Sequence, residues 1–203
     1  MKLSTLLTAA SAMLILSSTA ALAQESVWAN SYKLEGEKKF NEAISAIDSV
    51  PANGPDAELK TLRRAWLYYS AGNYSESIRE YRHGIERNSK SVDARLGVTL
   101  PLLAAKRWRE AEQSARAVLD LAPNNYTALL RLTIALEAQS DWAAMHKTAT
   151  TMVTAYPTDV TAYIYLARAN LWLGKKSDGI AAYVAVLSRY PGQLEAKAYL
   201  DKR

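Results

Sequence analysis

Imidazoles, thiols and paired carboxylates carry most acid–base, nucleophilic and metal chemistry. This chain of 203 residues is poor in all three. It has two histidines, His83 and His146, which stand 63 residues apart, and no cysteine. The missing thiol excludes disulfides, thiolate metal sites and a cysteine nucleophile. No H-E-x-x-H, G-x-S-x-G or phosphate-loop spacing occurs. Glu35 and Glu137 are too far apart along the chain to read as an acid–base pair. Each histidine reads as a surface residue of a helix. The reading is therefore no enzyme, no cofactor and no metal. What remains is the chemistry of recognition. Arg63, Arg131 and Arg168 stand among apolar and aromatic residues, a mixture suited to gripping another chain.

The bulk composition agrees with a folded recognition module. Hydrophobic residues make up 49% and charged residues 22%, which is ordinary for a globular protein and too apolar for a disordered one. Eight glycines and six prolines are few for an all-β protein with its many turns. A formal charge of +5 is too mild to imply nucleic acid. Arg79, Arg82, His83, Arg87, Arg109 and Arg116 alternate with Glu76, Glu80, Glu86 and Glu110. That interleaving reads as a solvated face, with a weak patch for anions as the alternative.

Residues 1–23 read as a secretory signal peptide. Lys2 is followed by the mostly apolar run Leu3–Leu16 and by Ala21-Leu22-Ala23, a small-x-small cleavage signal before Gln24. The run is too short to span a bilayer, and no later stretch is long and apolar enough to do so. Removing the leader with Lys2 leaves 24 basic and 20 acidic residues, a charge of +4. The short leader is bacterial in style, so the expected location is the periplasm of a Gram-negative cell. No stable membrane insertion is expected of the processed chain.

The remainder repeats. Pro123, Pro157 and Pro191 are 34 residues apart, and Pro55 lies two periods before Pro123. Phe40, Tyr74, Trp108 and Trp142 share that spacing, as do the small residues Ala43, Ser77 and Ala111 and, further on, Gly179, with Met145 as an exception. The phase gives repeats at 24–57, 58–91, 92–125, 126–159 and 160–193, with 194–203 left over. Each repeat reads as two helices. In 58–91, Leu59, Leu62, Trp66 and Tyr69 recur at helical spacing, Gly72 ends the run, and Tyr74, Ile78, Tyr81 and Ile85 resume it.

Those residues bring the chain to a known family. Ala65-x-x-Tyr68, Gly72-Asn73-Tyr74 and Ser77-x-x-x-Tyr81, with Gly179-x-x-x-Tyr183 and Pro191 in the last repeat, make residues 24–203 resemble the tetratricopeptide repeat family. Ala115 and Ala149 depart from the pattern, which has a bulky aromatic there, so those repeats should pack less tightly. The resemblance implies an all-α fold. It is a right-handed superhelical α-solenoid of five helix–turn–helix repeats closed by a short C-terminal capping helix, with Tyr199 and Leu200 packed back.

The resemblance further implies a scaffold whose first helices line a concave groove. Three columns fall there: Trp28, Leu62, Leu96, Leu130 and Ile164; then Tyr32, Trp66, Leu100, Ile134 and Arg168; then Glu35, Tyr69, Leu103, Glu137 and Leu171. The groove residues assigned are Trp28, Tyr32, Leu62, Arg63, Trp66, Tyr69, Leu100, Arg131 and Arg168. For the leucines, burial between repeats is an equal alternative. An apolar groove with guanidiniums suits an amphipathic helix or an extended apolar peptide carrying acidic residues. The expected function is a periplasmic adaptor for another envelope protein. A holdase-type chaperone with many clients is the alternative, and self-association through the groove a third. Pro101, inside a first helix, should kink it and leave the Gly97 carbonyl without its donor.

Overall fold

The structure, a computed structural model, describes residues 27–202. The expected signal peptide, residues 1–23, lies outside them. Every regular element among the described residues is a helix. The order is α1 (27–36), α2 (Phe40–Ala46), α3 (Ala57–Ser70), α4 (Tyr74–Arg87), α5 (Val92–Ala104) and α6 (Trp108–Leu121). There follow α7 (Tyr126–Ala138), α8 (Trp142–Ala155), α9 (Val160–Trp172), α10 (Lys176–Arg189) and α11 (Leu194–Leu200). Contacts divide the chain into two units, one ending at Gly84 and the other beginning at Ile85, inside α4.

The period seen in the residue types is also a period of the backbone. The second helices α2, α4, α6, α8 and α10 begin at Phe40, Tyr74, Trp108, Trp142 and Lys176, each 34 residues after the one before. The first helices α5, α7, α9 and α11 begin at Val92, Tyr126, Val160 and Leu194, with the same interval of 34. The aromatic column therefore opens the second helices. The helix α11 has seven residues, fewer than the leftover 194–203. Its Tyr199 and Leu200 pack back on Ala167, Ala182, Tyr183 and Val186, as expected of a cap.

One left-handed residue ends each first helix. Lys38, Gly72, Lys106, Ser140 and Gly174 all have positive φ, between 58° and 79°. Around each, two amides reach back over the last turn: Gly72 N–H to Tyr69 O at 2.9 Å and Asn73 N–H to Tyr68 O at 2.8 Å, for example. The same pair of bonds recurs at 106–107, 140–141 and 174–175. This Schellman closure satisfies carbonyls that the helix end would leave unpaired. Only two of the five residues are glycine, so lysine and serine hold a conformation that their Cβ disfavours by about 1 kcal/mol. At the other end, Ser91, Asn125 and Gln193 cap α5, α7 and α11 by accepting from Ala94, Ala128 and Ala196 N–H. Asp159 does the same for α9, accepting from Thr161 N–H.

The small-residue column sits where the paired helices touch. Ala43, Ser77, Ala111 and Gly179 are buried. A Cβ on Gly179 would stand 2.6 Å from Leu171 Cδ2 and 3.3 Å from the Ala167 carbonyl. Met145, the exception in the column, is also fully buried, an unbranched chain that bends into the space left to it.

The two repeats that lack the late aromatic enclose the small residues that stand in its place. Ala115 and Ala149 are fully buried. Ala115 shares a cluster with Leu132, Leu136 and Met145. A cleft of about 460 Å³ opens between α6 and α8, lined by Leu119, Leu129 and Leu132 together with Arg116, Asp120 and Lys147. Helix α5 runs on through Pro101, which is itself buried.

Ser140→Gly is expected to raise the unfolding free energy by about 1 kcal/mol, since the turn then needs no strained side chain. Denaturant titration checks this. The variant should melt above the parent chain.

Candidate functional site: the first-helix columns

In the first unit the columns converge on an aromatic and charged cluster. Tyr32 and Trp66 are among the exposed large apolar residues of the chain, Trp66 at 38%. The Trp66 and Tyr69 rings lie 5.6 Å apart, and Tyr69 continues to Tyr74 at 5.9 Å. Trp66 Nε1–H donates to Glu35 Oε1 at 2.5 Å, which fixes the indole and leaves its face to solvent. Trp28 and Leu62 are half-buried beside them in sequence register.

Arg63 differs from expectation. It was assigned to the groove surface, but it is only 5% exposed. Its Nη1 pairs with Glu35 Oε2 at 2.5 Å and its Nε donates to Ser31 Oγ at 3.2 Å. The Tyr32 ring lies 3.9 Å from the guanidinium carbon. One nitrogen, Nη2, is buried without an acceptor among the described residues. The π face of Tyr32 partly offsets that cost. Arg63 is thus a strut beneath the aromatic surface. It holds Glu35 so that Glu35 can hold Trp66.

In the second unit, Leu96, Leu100, Leu103, Leu130, Ile134, Ile164 and Leu171 are all half-buried, while Val98, Leu102, Leu132 and Leu136 on the same helices form the core. The columns are therefore a partly solvated apolar stripe and not interior.

The two arginines of this unit are already engaged. Arg131 Nη1 donates to Leu96 O at 2.5 Å and to Thr99 Oγ1 at 2.9 Å, bracing α7 on α5 one residue before the carbonyl that Pro101 leaves without its donor. Arg168 makes a bidentate pair with Glu195 of α11, Nε to Oε1 at 2.8 Å and Nη2 to Oε2 at 2.6 Å. Its Nη1 reaches Glu137 Oε1 at 3.0 Å. Tyr183 O–H donates to Glu195 Oε1 at 2.6 Å. This network joins α7, α9, α10 and α11. The Arg168 guanidinium holds the Glu195 carboxyl below the usual carboxylate range, and the Tyr183 bond adds to this. Burial first, and the adjacent Glu195 second, push the Tyr183 phenol above its usual value.

The guanidiniums expected to meet acidic residues of a partner are accordingly bonded within the chain. Sequence reasoning missed this because each pairing spans 27 to 35 residues and depends on repeat stacking. One signal was available. Glu35 with Trp66, and Glu137 with Arg168, are both 31 apart, the step from the third column of one repeat to the second column of the next. The two histidines are not brought into any such cluster. No group of acidic, histidine or cysteine side chains among the described residues has the arrangement to hold a metal ion.

Comparison with known proteins places this arrangement. Residues 161–192, which take in α9 from its second residue and all of α10, match the tetratricopeptide repeat family model. No curated protein sequence matches the chain. Among solved structures, a MamA double mutant (RS-1) superposes with a TM-score of 0.73 at 13% identity, covering 89% of this chain and 98% of that one. MamA from Desulfovibrio magneticus RS-1, residue 41 to its end, gives 0.73 at 13% identity, with 85% and 97% covered. YrrB, described as a tetratricopeptide repeat protein with an unusual peptide-binding site, gives 0.64 at 17% identity, with 78% and 84% covered. At these identities the likeness shows the fold, and that fold is the expected all-α repeat solenoid.

Glu195 links acid to stability. Its folded carboxyl titrates below the unfolded value near 4.5, so its contribution is complete above that value and is lost as pH falls through the lower folded one. Between those pH values the parent chain should lose stability on acidification more steeply than Glu195→Gln. Denaturant midpoints measured across that range check the sign.

Proposed function

We propose, on the premise that the chain is a tetratricopeptide repeat protein, that it is a non-catalytic scaffold of the bacterial periplasm. It binds a peptide or partner protein along its first helices, in the service of envelope protein assembly. The observation that carries this reading is that half-exposed apolar positions recur on α3 of the first unit and on α5, α7 and α9 of the second. Scattered exposed leucines need no explanation, but a column that recurs with the repeat does. The periplasmic part rests on the leader and its Ala21-Leu22-Ala23 signal.

The geometry refines the partner's chemistry. Arg63, Arg131 and Arg168 are bonded to Glu35, to the Leu96 carbonyl and to Glu137 with Glu195. The stripe therefore offers apolar and aromatic contact with little net charge. An apolar face of a helix, or an extended apolar segment, fits it better than the acidic peptide expected from sequence. Trp66 and Tyr32 are the anchors, because a pre-positioned aromatic ring loses little freedom on binding.

Affinity capture from envelope extract, run with the parent chain and with Trp66→Ala, tests the proposal. One or two stoichiometric partners are expected, bound about 2 kcal/mol more weakly by the variant. Its melting temperature should move little. Arg63→Ala should instead cost about 3 kcal/mol of folding stability, since it strips a buried pair of its cation. A broad spectrum of unfolded proteins in the capture would point to the chaperone and against the adaptor.

A further inference from the structure

One edge of the second unit carries a feature that the binding stripe does not use. The turns joining first to second helices, at 105–107, 139–141 and 173–175, lie side by side there. Trp142, which opens α8, stacks on Trp172 at the end of α9, with ring centroids 4.8 Å apart and planes within 6°. Gln139 lines a small pocket together with Lys106, Arg107, Trp108 and Arg109, which puts the neighbouring turn against it.

Trp172 is 66% exposed, and Leu173 beside it is 38% exposed. The equivalent positions 34 and 68 residues earlier are Ala138 and Ala104. The fold therefore has no need of an indole at this point. One face stacks on Trp142, and about two thirds of the residue stands exposed.

The charge around it has one sign in excess. The turns and helix starts carry Lys106, Arg107, Arg109, Lys175 and Lys176 against Glu110, Asp141 and Asp178, while Glu112, which reaches Gln139 at 2.8 Å, is paired with Arg116. Arg107 is held by Glu110 at 2.6 Å. Asp141 accepts from Ala144 N–H as the cap of α8. Lys106, Arg109, Lys175 and Lys176 make no ion pair or side-chain hydrogen bond among the described residues.

We propose that this edge rests on an anionic lipid bilayer, Trp172 and Leu173 entering the headgroup layer while Lys106, Arg109, Lys175 and Lys176 meet lipid phosphates. Tryptophan favours that depth because its ring is apolar and its N–H can stay wet. Each lysine or arginine near an anionic surface strengthens the attraction, and the combination of an apolar wedge with basic residues gives reversible attachment. A soluble acidic partner would use the cations but would give an adjacent Trp–Leu pair nothing to enter. The attachment is peripheral, as no described helix is long and apolar enough to cross a membrane.

Co-sedimentation with vesicles of phosphatidylcholine, alone and mixed with phosphatidylglycerol, tests this. It should be run on the full chain and on the form beginning at Gln24, so that the leader's own affinity for lipid is separated. Binding is expected only to the anionic vesicles, to fall with added salt, and to blue-shift the tryptophan emission. Trp172→Ala and the pair Lys175→Glu with Lys176→Glu should each weaken partition about tenfold or more, with circular dichroism melts showing both still folded. Leu173→Ser serves if Trp172→Ala melts early. Failure of the Gln24 form to prefer anionic vesicles would overturn the proposal. So would partition that depends on the lysines but not on Trp172 or Leu173, or equal capture by a single-stranded oligonucleotide, since either describes a surface for soluble polyanions.

Discussion

The close approach of the two helices in each hairpin is the constraint on which the rest of the molecule depends. It is written in the column Ala43, Ser77, Ala111 and Gly179. Ser77 Oγ donates to the Ala65 carbonyl at 2.7 Å, which is possible only because the helix backbones nearly touch there. Ser31 makes the same kind of bond from the other helix, to Ala43 O at 2.9 Å. Buried hydroxyls bonded to helix carbonyls leave no unpaired polar group and add no bulk. Once the hairpin is this tight, its faces can be covered only by neighbouring hairpins, and each first helix ends with one flank in the core and one flank half in water.

That half-wet flank explains why the arginines are engaged. A guanidinium on an otherwise apolar stripe must find acceptors within reach, or bear the cost of partial desolvation alone. Arg63 finds Glu35, Arg168 finds Glu137 and Glu195, and Arg131 takes a carbonyl near the proline where the helix ladder lacks one donor. The charges thus serve as fasteners between neighbouring first helices. The aromatic rings Tyr32, Trp66 and Tyr69 are left to face outward, with Trp66 oriented by the same carboxylate that neutralises Arg63.

Much of the fold was legible in residue spacing because the period is carried by types with a strong local meaning. Prolines recur at one point of the period, and an aromatic opens the second helices α2, α4, α6 and α8. The left-handed turn residues were legible only at Gly72 and Gly174. Lys38, Lys106 and Ser140 carry no local signal for that conformation and adopt it because the hairpin requires it. The columns were placed correctly on the first helices, but the burial of Arg63 was not foreseen. Position along a helix says which way a side chain points, and only the stacked neighbour says what it meets. The bonding of the arginines within the chain was not foreseen for the same reason. The charges were read as free because their acceptors come from other repeats.

The network at the end of the chain has a mechanical consequence. Arrays held by neighbour contacts alone fray from their tips inward. The short helix α11 adds an ionic and hydrogen-bonded fastening to the apolar packing of Ala196, Tyr199 and Leu200. Glu195 binds it to Arg168 in α9 and to Tyr183 in α10, and Arg168 is shared with Glu137 in α7. Releasing the tip therefore disturbs three helices at once. Helices α7, α9, α10 and α11 should therefore detach as a block or stay zipped, with α11 acting as the lock.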